Sequence, residues 1–221
     1  MALNLLMLGP PGAGKGTQAE RFARGRGIPK ISTGDILREA VHAKTEIGQR
    51  AKAVMDRGEL VGDDVMIGIV RERLERQDAV GGFVLDGFPR TVAQASALDG
   101  IMAERDPLIV VDIVVPEAEL VRRLGTRMIC HDCGTGAAVG SAIGAACGEC
   151  GGKLVQRADD NQAVVLERLK VYHRQSEPLV EYYRVRPTFR SIDGAQPPDR
   201  VAADLSAAIA AAGNGAAGVQ G

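Results

Sequence analysis

Short apolar runs alternate with helix-like patterns along most of the 221-residue chain. Five runs rich in branched aliphatic side chains predict strands, and they lie at Leu3–Leu8, Ile28–Ile31, Phe83–Leu85, Leu108–Val115 and Thr188–Ile192. Continuously apolar strands separated by helices are typical of a parallel sheet that is covered on both faces. The pattern therefore predicts an α/β fold with a doubly wound parallel sheet of five strands.

Helical periodicity is clearest after residue 62. Four apolar residues recur there at offsets of three, four and eight, namely Met66, Ile69, Val70 and Leu74. Asp63 and Asp64 stand just before them, where the N-cap of this helix is expected. The Ala- and Gly-rich tail from Ala207 is expected to fray after a last helix.

Two regions break the alternation of strands and helices. Residues 32–61 contain helical stretches with no strand between them, which predicts a helical insertion. Residues 126–161 contain all four cysteines and a run of small residues, Gly134 to Ala146, which cannot form an apolar core by itself. We therefore predict a core domain made of residues 1–31, 62–125 and 162–221, with insertions at 32–61 and 126–161.

Composition narrows the class of function. The chain has 27 Lys and Arg against 28 Asp and Glu, so there is no basic surplus to hold a nucleic-acid backbone. Aromatic residues make up 3% and tryptophan is absent, which disfavours base stacking. No apolar run approaches the ~20 residues of a membrane span, and the N-terminus lacks a basic leader. We expect a cytoplasmic protein that binds neither nucleic acid nor a membrane.

A phosphate-loop motif follows the first predicted strand. Residues 9–17 read Gly-Pro-Pro-Gly-Ala-Gly-Lys-Gly-Thr, in the strand-to-helix context that G-x-x-x-x-G-K requires. Backbone N–H groups of such a loop converge on phosphate oxygens, and Lys15 supplies a positive charge that follows the transferred phosphoryl group. The residues expected to bind a nucleotide here are Gly12, Ala13, Gly14, Lys15, Gly16 and Thr17. The alternative is a glycine-rich turn without a ligand.

A second apolar strand ends in Asp86, and the segment continues to Arg90. A carboxylate at a strand end beside a phosphate loop organises Mg²⁺ and its water ligands. Arg90 is suited to hold a phosphate through two parallel hydrogen bonds. The alternative interpretation is an aspartate that caps a helix and an arginine in solvent.

The four cysteines form two pairs at zinc spacing, Cys130-x2-Cys133 and Cys147-x2-Cys150. One tetrahedral ion held by four thiolates would tie together a segment that is too poor in apolar residues to fold alone. We predict a structural Zn²⁺ site; a redox dithiol, unligated cysteines and iron in place of zinc stay open as alternatives. His131 is expected not to be a ligand, because four thiolates already fill the coordination shell.

Taken in order, these motifs resemble the adenylate kinase family, and the cysteine insertion is similar to that of its zinc-containing members. The matching stretches are Gly9–Thr17, Ser32–Arg38, Gly58–Val61, Asp86–Arg90 with Gln94, Gln156–Asp160 and Pro178–Tyr183. The resemblance implies a P-loop NTPase-type core, an NMP-binding insertion at 32–61 and a zinc-stapled lid at 126–161 that closes over ATP.

That resemblance also implies an activity and two nucleotide sites. The activity is reversible, Mg²⁺-dependent transfer of the terminal phosphoryl group of ATP to AMP, which gives two ADP and serves purine nucleotide interconversion and energy-charge balance. The implied AMP site comprises Thr33, Arg38, Glu59, Leu60, Val61, Gly87, Phe88, Pro89, Arg90, Gln94, Arg157 and Arg168. The implied ATP site adds Arg127, Gly136, Ala137 and Gln196 to the phosphate loop. A monomer is expected, because one chain carries both sites.

Transfer to an anionic phosphate needs charge neutralisation and alignment rather than a general base. The candidate catalytic residues are accordingly Lys15, Asp86, Arg90, Arg123, Arg127, Arg157 and Arg168. By resemblance, Arg123 and Arg127 contact the ATP phosphates, Arg157 and Arg168 clamp the transferred group and the AMP phosphate, and Asp159 and Asp160 hold the lid arginines. The alternatives are a kinase for another nucleoside monophosphate and a zinc-knuckle ATPase that binds nucleic acid, which the composition disfavours.

Overall fold

The computed structural model describes residues 2–138 and 140–217, so Met1, Val139 and residues 218–221 of the predicted domains and tail lie outside the described residues. The strands are β1 (Leu3–Leu8), β2 (Lys30–Ser32), β3 (Gly82–Asp86), β4 (Leu108–Val114), β5 (Met128–Cys130), β6 (Leu154–Gln156) and β7 (Phe189–Asp193). The α-helices are α1 (Lys15–Arg26), α2 (Thr33–His42), α3 (Glu46–Asp56), α4 (Asp63–Leu74), α5 (Val92–Met102), α6 (Glu117–Gly125), α7 (Gln162–Val171), α8 (Pro178–Arg184) and α9 (Pro198–Ala217).

The main sheet has five parallel strands in the order β2-β3-β1-β4-β7. This confirms the predicted α/β fold and its doubly wound sheet. β1 lies at the centre, with β2 and β3 on one side of it; after β3 the chain crosses past β1 and adds β4 and β7 on the other side. The carboxyl end of β1 is therefore the point where the winding reverses, which is where open parallel sheets bind ligands.

Both faces of the sheet are covered by helices, which explains why the strands read as unbroken apolar runs. Leu5 and Met7 of β1 join a buried cluster with residues of α1, α6, α7 and α9. Leu6 and Leu8, whose side chains alternate with those two, join a second cluster with α4, α5 and α8. The strands are therefore apolar at nearly every position.

Several boundaries differ from the sequence prediction, and those of β3, β4 and β7 do so by one residue at one or both ends. β2 begins at Lys30, because Ile28 belongs to the turn that ends α1: Gly27 is left-handed (φ 64°) and the N–H of Ile28 donates to Ala23 O at 3.2 Å. The N-cap of α4 is Gly62, so the expectation that an aspartate caps this helix is wrong. α9 continues to Ala217, so the last helix includes most of the Ala- and Gly-rich tail. Within the described residues, no helix is both long and apolar enough to cross a bilayer.

Each insertion has its own local stabilisation. The hydroxyl of Ser32 caps α2 and that of Thr45 caps α3, and buried Leu37 and Ala51 join the second core cluster. In the cysteine insertion β5 and β6 form a short antiparallel pair. Among the described residues, a small apolar cluster supports that pair, and it consists of Cys130, Cys147 and Leu154 with Met128, Ala137 and Ala145 packed against it.

Candidate active site

The phosphate loop joins β1 to α1 in a conformation that depends on glycine. Gly9 has φ +132°, and a Cβ atom there would lie 2.6 Å from the backbone oxygen of Ile113. Gly14 is left-handed (φ 93°) and begins α1 without a capping side chain, so the first turn presents its N–H groups to an anion. The Lys15 ammonium folds back on the loop and donates to Gly9 O at 2.7 Å and Pro10 O at 2.8 Å.

Asp86 lies at the end of β3, in register with Met7 of β1, which places its carboxylate beside the phosphate loop. A Cβ atom on Gly16 would be 3.3 Å from Asp86 Oδ2. Glycine at position 16 therefore gives this carboxylate room next to Lys15, and the hydroxyl of the loop is carried instead by exposed Thr17. Oxygen donors of this kind fit a Mg²⁺ ion that also contacts phosphates.

Residues from three segments meet at the carboxyl ends of β2 and β3. Gly87 O accepts hydrogen bonds from the Thr33 hydroxyl at 2.7 Å and from Arg90 Nε at 2.8 Å. Gly87 is left-handed (φ 80°), and a Cβ there would be 3.0 Å from Thr33 Oγ1. The Arg90 N–H donates to Gln94 Oε1 at 2.8 Å. Thr33, Gly87, Arg90 and Gln94 are thus brought together, whereas Phe88 is part of the apolar core.

A buried carboxylate links the base of the cysteine insertion to α7. Asp160, only 2% exposed, accepts from Arg127 at 2.5 and 2.7 Å and from Arg168 at 3.1 Å. Arg168 also donates to the carboxylate of Asp159 at 3.0 Å. Asp160 therefore holds both arginines side by side, and Asp159 holds Arg168 as well. Arg157 lies in the same group, and its buried Nε has no hydrogen-bond partner among the described residues.

Cations in this group perturb one another. Burial lowers the pKa of Lys15 from 10.5 to about 8; Asp86 opposes this effect, while Arg90, Arg168 and Arg127 reinforce it. Burial and then repulsion by Arg168 lower the pKa of Arg90 to about 10. Burial and then the charges of neighbouring arginines lower the pKa of Arg157 to about 10 as well. The cleft thus holds more positive charge than its own carboxylates neutralise.

Other predicted residues have different surroundings. Arg123 donates to Glu119 on its own helix at 2.7 Å, and Glu59 accepts from Arg57 at 2.7 and 3.0 Å. The Gln196 amide donates to Asp193 O and to Asp204. Arg38 is paired with Asp35. Ala13, Val61 and Ala137 pack in or against the apolar clusters, and Gly136 forms an isolated bridge with Ile129. Of the remaining predicted residues, Pro89 is buried, and Gly12 and Leu60 are half-buried.

The four cysteine sulfurs lie within 4.8 Å of one another. Sγ of Cys130 is 3.4 Å from that of Cys150, and Sγ of Cys133 is 3.7 Å from that of Cys147. A tetrahedral Zn²⁺ with Zn–S bonds of about 2.3 Å separates its sulfur ligands by roughly 3.8 Å, so the donor set fits this ion. His131 lies outside the cluster, and its Nδ1 is 2.8 Å from Asp132 Oδ1.

Each cysteine pair closes the same turn. The N–H of Gly134 donates to Cys130 O at 3.1 Å, and the N–H of Gly151 donates to Cys147 O at 2.9 Å. Both glycines are left-handed, with φ 71° and 76°. The repeated Cys-x-x-Cys-Gly turn presents two sulfurs from each arm, which is the arrangement that a four-thiolate metal site needs.

Three further residues touch the site without having been predicted to do so. Asp63 and Ser176 bond to Gln94 and to the Arg90 carbonyl respectively. Asp112 lies opposite Leu8 in β4, and its buried Oδ1 has no partner among the described residues; burial raises its pKa. In the sequence, the only signal for Asp112 is that one carboxylate interrupts a buried apolar strand.

A strand-phosphate loop-helix unit at the winding reversal, faced by a cluster of arginines and an aspartate, defines a P-loop protein of the phosphotransferase class. The model of the family described as adenylate kinase matches residues 7–188. Adenylate kinases of Archaeoglobus fulgidus and Geobacter sp. are 49% and 48% identical to this chain, over 94% and 95% of it and 98% and 100% of their own lengths. The adenylate kinase of Magnetococcus marinus is 45% identical over 94% of this chain and 100% of its own.

The chain therefore belongs to the adenylate kinase family. Its members are nucleoside-monophosphate kinases that bind ATP, AMP and ADP. This confirms the resemblance inferred from the motifs.

Proposed function

We propose that this chain transfers the terminal phosphoryl group of ATP to AMP in the presence of Mg²⁺ and releases two ADP. The observation that carries the proposal is the charge of the cleft. Six cationic side chains interact there, namely Lys15, Arg38, Arg90, Arg127, Arg157 and Arg168. The carboxylates that interact with these cations are fewer, namely Asp35, Asp86, Asp112, Asp159 and Asp160. A bound polyphosphate supplies the negative charge that this cleft lacks.

Different elements contribute the cations, which supports binding of two phosphate chains end to end. Lys15 and the first turn of α1 hold the phosphates of ATP, and Arg127 and Arg123 reach them from the base of the lid. Arg38 and Arg90 hold the phosphate of AMP from the other side. Arg157 and Arg168 bridge the two, where the transferred group passes. Two-sided binding of this kind places the reacting atoms in line.

In the reaction an oxygen of the AMP phosphate attacks the terminal phosphorus of ATP. The bond from that phosphorus to the bridging oxygen breaks, and its electron pair stays on the departing ADP. The acceptor phosphate is already largely anionic at neutral pH, with a second pKa of about 6, so no general base removes a proton. When bound, Mg²⁺ neutralises charge on the ATP phosphates, and Asp86 is the residue that would hold it.

Two insertions complete the site. Residues 32–61 carry part of the acceptor site, including Thr33 and Arg38. Thr33 addresses the base together with Gln94 of the adjacent core. The lid at 126–161 carries a structural Zn²⁺ on Cys130, Cys133, Cys147 and Cys150. Closure of both insertions excludes water, so that AMP rather than water accepts the phosphoryl group. The proposed role is purine nucleotide interconversion and energy-charge balance by a monomeric, cytoplasmic enzyme.

Product analysis tests the reaction. With Mg·ATP and a panel of AMP, GMP, CMP and UMP, we expect two ADP for each AMP consumed and almost no turnover of the others, because the acceptor base is read by Thr33 and Gln94. Chromatographic quantification of all nucleotides is the measurement. Turnover of another acceptor overturns the choice of AMP, and phosphate release without an acceptor overturns the kinase proposal.

The pH dependence of ATP binding tests the role of Lys15. Phosphates bind the protonated amine, and the pKa of Lys15 in the unliganded protein is about 8. Affinity for Mg·ATP is therefore expected to fall as pH rises above about 8, approaching tenfold per pH unit, until the pKa of the bound form is passed. Binding is measured between pH 7.5 and 9.5, where the ATP phosphates no longer titrate.

Lys15→Arg is the control, because arginine keeps its charge throughout this pH range. Its affinity for Mg·ATP is expected to change little between pH 7.5 and 9.5, whatever its absolute value. Equal slopes in the two proteins would show that another group titrates and that Lys15 does not control ATP binding.

A further inference from the structure

The side-chain amide of Gln94 is held at both ends. It lies in the first turn of α5 and is 2% exposed. Its Oε1 accepts the backbone N–H of Arg90 at 2.8 Å, and its Nε2 donates to Asp63 Oδ1 at 2.7 Å. The other carboxylate oxygen of Asp63 accepts from the Thr91 hydroxyl at 3.0 Å. Both oxygens of this half-buried aspartate are thus used inside the protein.

The hydrogen bonds to Arg90 and Asp63 determine the orientation of the Gln94 amide. A backbone N–H is only a donor and an ionised carboxylate is only an acceptor, so the amide oxygen must face Arg90 and the amide nitrogen must face Asp63. Rotation by 180° would place Oε1 against a carboxylate oxygen and NH₂ against an N–H. Both contacts would be repulsive.

An amide in one fixed orientation can distinguish two purines that differ in nothing but their donor and acceptor pattern. After its two internal bonds, Gln94 keeps one N–H donor and one acceptor lone pair, in a fixed spatial order. Adenine presents a 6-amino donor next to the N1 acceptor. Hypoxanthine presents the reverse, a 6-oxo acceptor next to an N1–H donor. A glutamine that is free to rotate pairs with either edge, whereas a fixed one pairs with only one.

We propose that Asp63 is a specificity-determining positioning residue, which holds the Gln94 amide in the orientation that accepts adenine and rejects hypoxanthine. The inference rests on the proposed function, in which Gln94 addresses the acceptor base. Asp63 does not touch the nucleotide; it acts through Gln94. Its position directly after the 32–61 insertion also connects the base-reading amide to that insertion.

Asp63→Asn removes one of the two constraints, because an asparagine amide presents either an acceptor or a donor to Gln94. The test compares kcat/KM for AMP and for inosine monophosphate with Mg·ATP as donor. We expect the ratio of inosine monophosphate to AMP to rise about tenfold, since a bidentate amide-base contact discriminates by roughly that amount. The change is expected in KM for the monophosphate, with KM for ATP unchanged. Both substrates are measured on one preparation, so partial unfolding cancels from the ratio.

Asp64→Asn is the matched control. It removes the same charge from the first turn of α4, and Asp64 is exposed, so a loss of helix stabilisation affects both variants alike. An unchanged ratio in Asp63→Asn, or an equal rise in Asp64→Asn, overturns the inference while the proposed function stands. A wild-type enzyme that uses inosine monophosphate as well as AMP overturns both, because Gln94 then does not read the base.

Discussion

Replacing Arg168 by methionine is expected to lower kcat about 10³-fold, within the range found for arginines that stabilise a transferring phosphoryl group. Arg168 is fixed by Asp159 and Asp160, and its pKa is lowered by burial and, among its neighbours, by the charge of Arg127. A charge held in this way is already oriented and needs little reorganisation when negative charge develops on the transferred group. Steady-state kinetics with Mg·ATP and AMP provides the measurement.

Arg122→Met is the matched control for this variant. The Arg122 side chain is exposed on the outer face of α6 and pairs with Glu119, so the substitution removes an arginine outside the cleft. We expect its kcat to stay within about twofold of the wild type, since exposed ion pairs contribute little. Thermal unfolding of both variants separates lost catalysis from lost folding. A kcat loss of less than tenfold in Arg168→Met would falsify the proposed role of this residue.

Those features of the fold that depend on local patterns could be predicted from the sequence. β1 was predicted residue for residue because helices cover both sides of the sheet, so Leu5 and Leu6 are equally buried although they face opposite ways. The phosphate loop was predictable because its backbone needs positive φ values at positions 9 and 14, and glycine is the residue that adopts them readily. The apolar run of β1 and the glycine spacing of the loop are each contained in a short stretch of the chain.

Contacts between distant segments were not predictable in the same way. The local pattern predicts that Asp63 caps a helix, whereas its hydrogen-bond partner Gln94 is 31 residues further along the chain. Asp160 and Arg127 are separated by 33 residues and meet only because the cysteine insertion returns to its starting point. Composition and spacing do not indicate which distant residues pair. The expectation that Asp160 holds arginines of the cysteine insertion came from the family resemblance instead.

The short strands of the cysteine insertion could not be predicted from the sequence either. β5 and β6 have three residues each, which is too short for an alternating pattern to emerge. Their pairing follows from the two cysteine turns that bring the arms together. The spacing of the cysteines predicted the cluster correctly, although it left open the strands that carry it.

Removal of the metal is expected to unfold the lid while the core stays folded. A structural zinc site contributes roughly 10–16 kcal/mol of apparent binding free energy in small domains. Among the described residues of the cysteine insertion, Leu154 is the one large buried aliphatic side chain of the apolar cluster, and burial of such a side chain contributes only about 1.5–3 kcal/mol. The apolar cluster alone therefore cannot compensate for the loss of the ion.

The variant Cys133→Ala/Cys150→Ala removes one exposed ligand from each turn and leaves the buried cysteines in place. We expect bound zinc to fall from one ion per chain to less than about 0.1, with fast amide exchange confined to residues 126–161. Affinity for Mg·ATP should fall, because Arg127 loses its support. Elemental analysis and hydrogen exchange are the measurements, and elemental analysis of the wild type also distinguishes zinc from iron.

His131→Ala controls for changes in this turn that leave the sulfurs intact. His131 is exposed and pairs with Asp132, so the variant is expected to keep its metal and its slow exchange. Loss of zinc in His131→Ala would show that the imidazole belongs to the coordination shell. A lid that exchanges slowly in the metal-free double variant would show that the insertion folds without an ion, and the cysteines would then need another explanation.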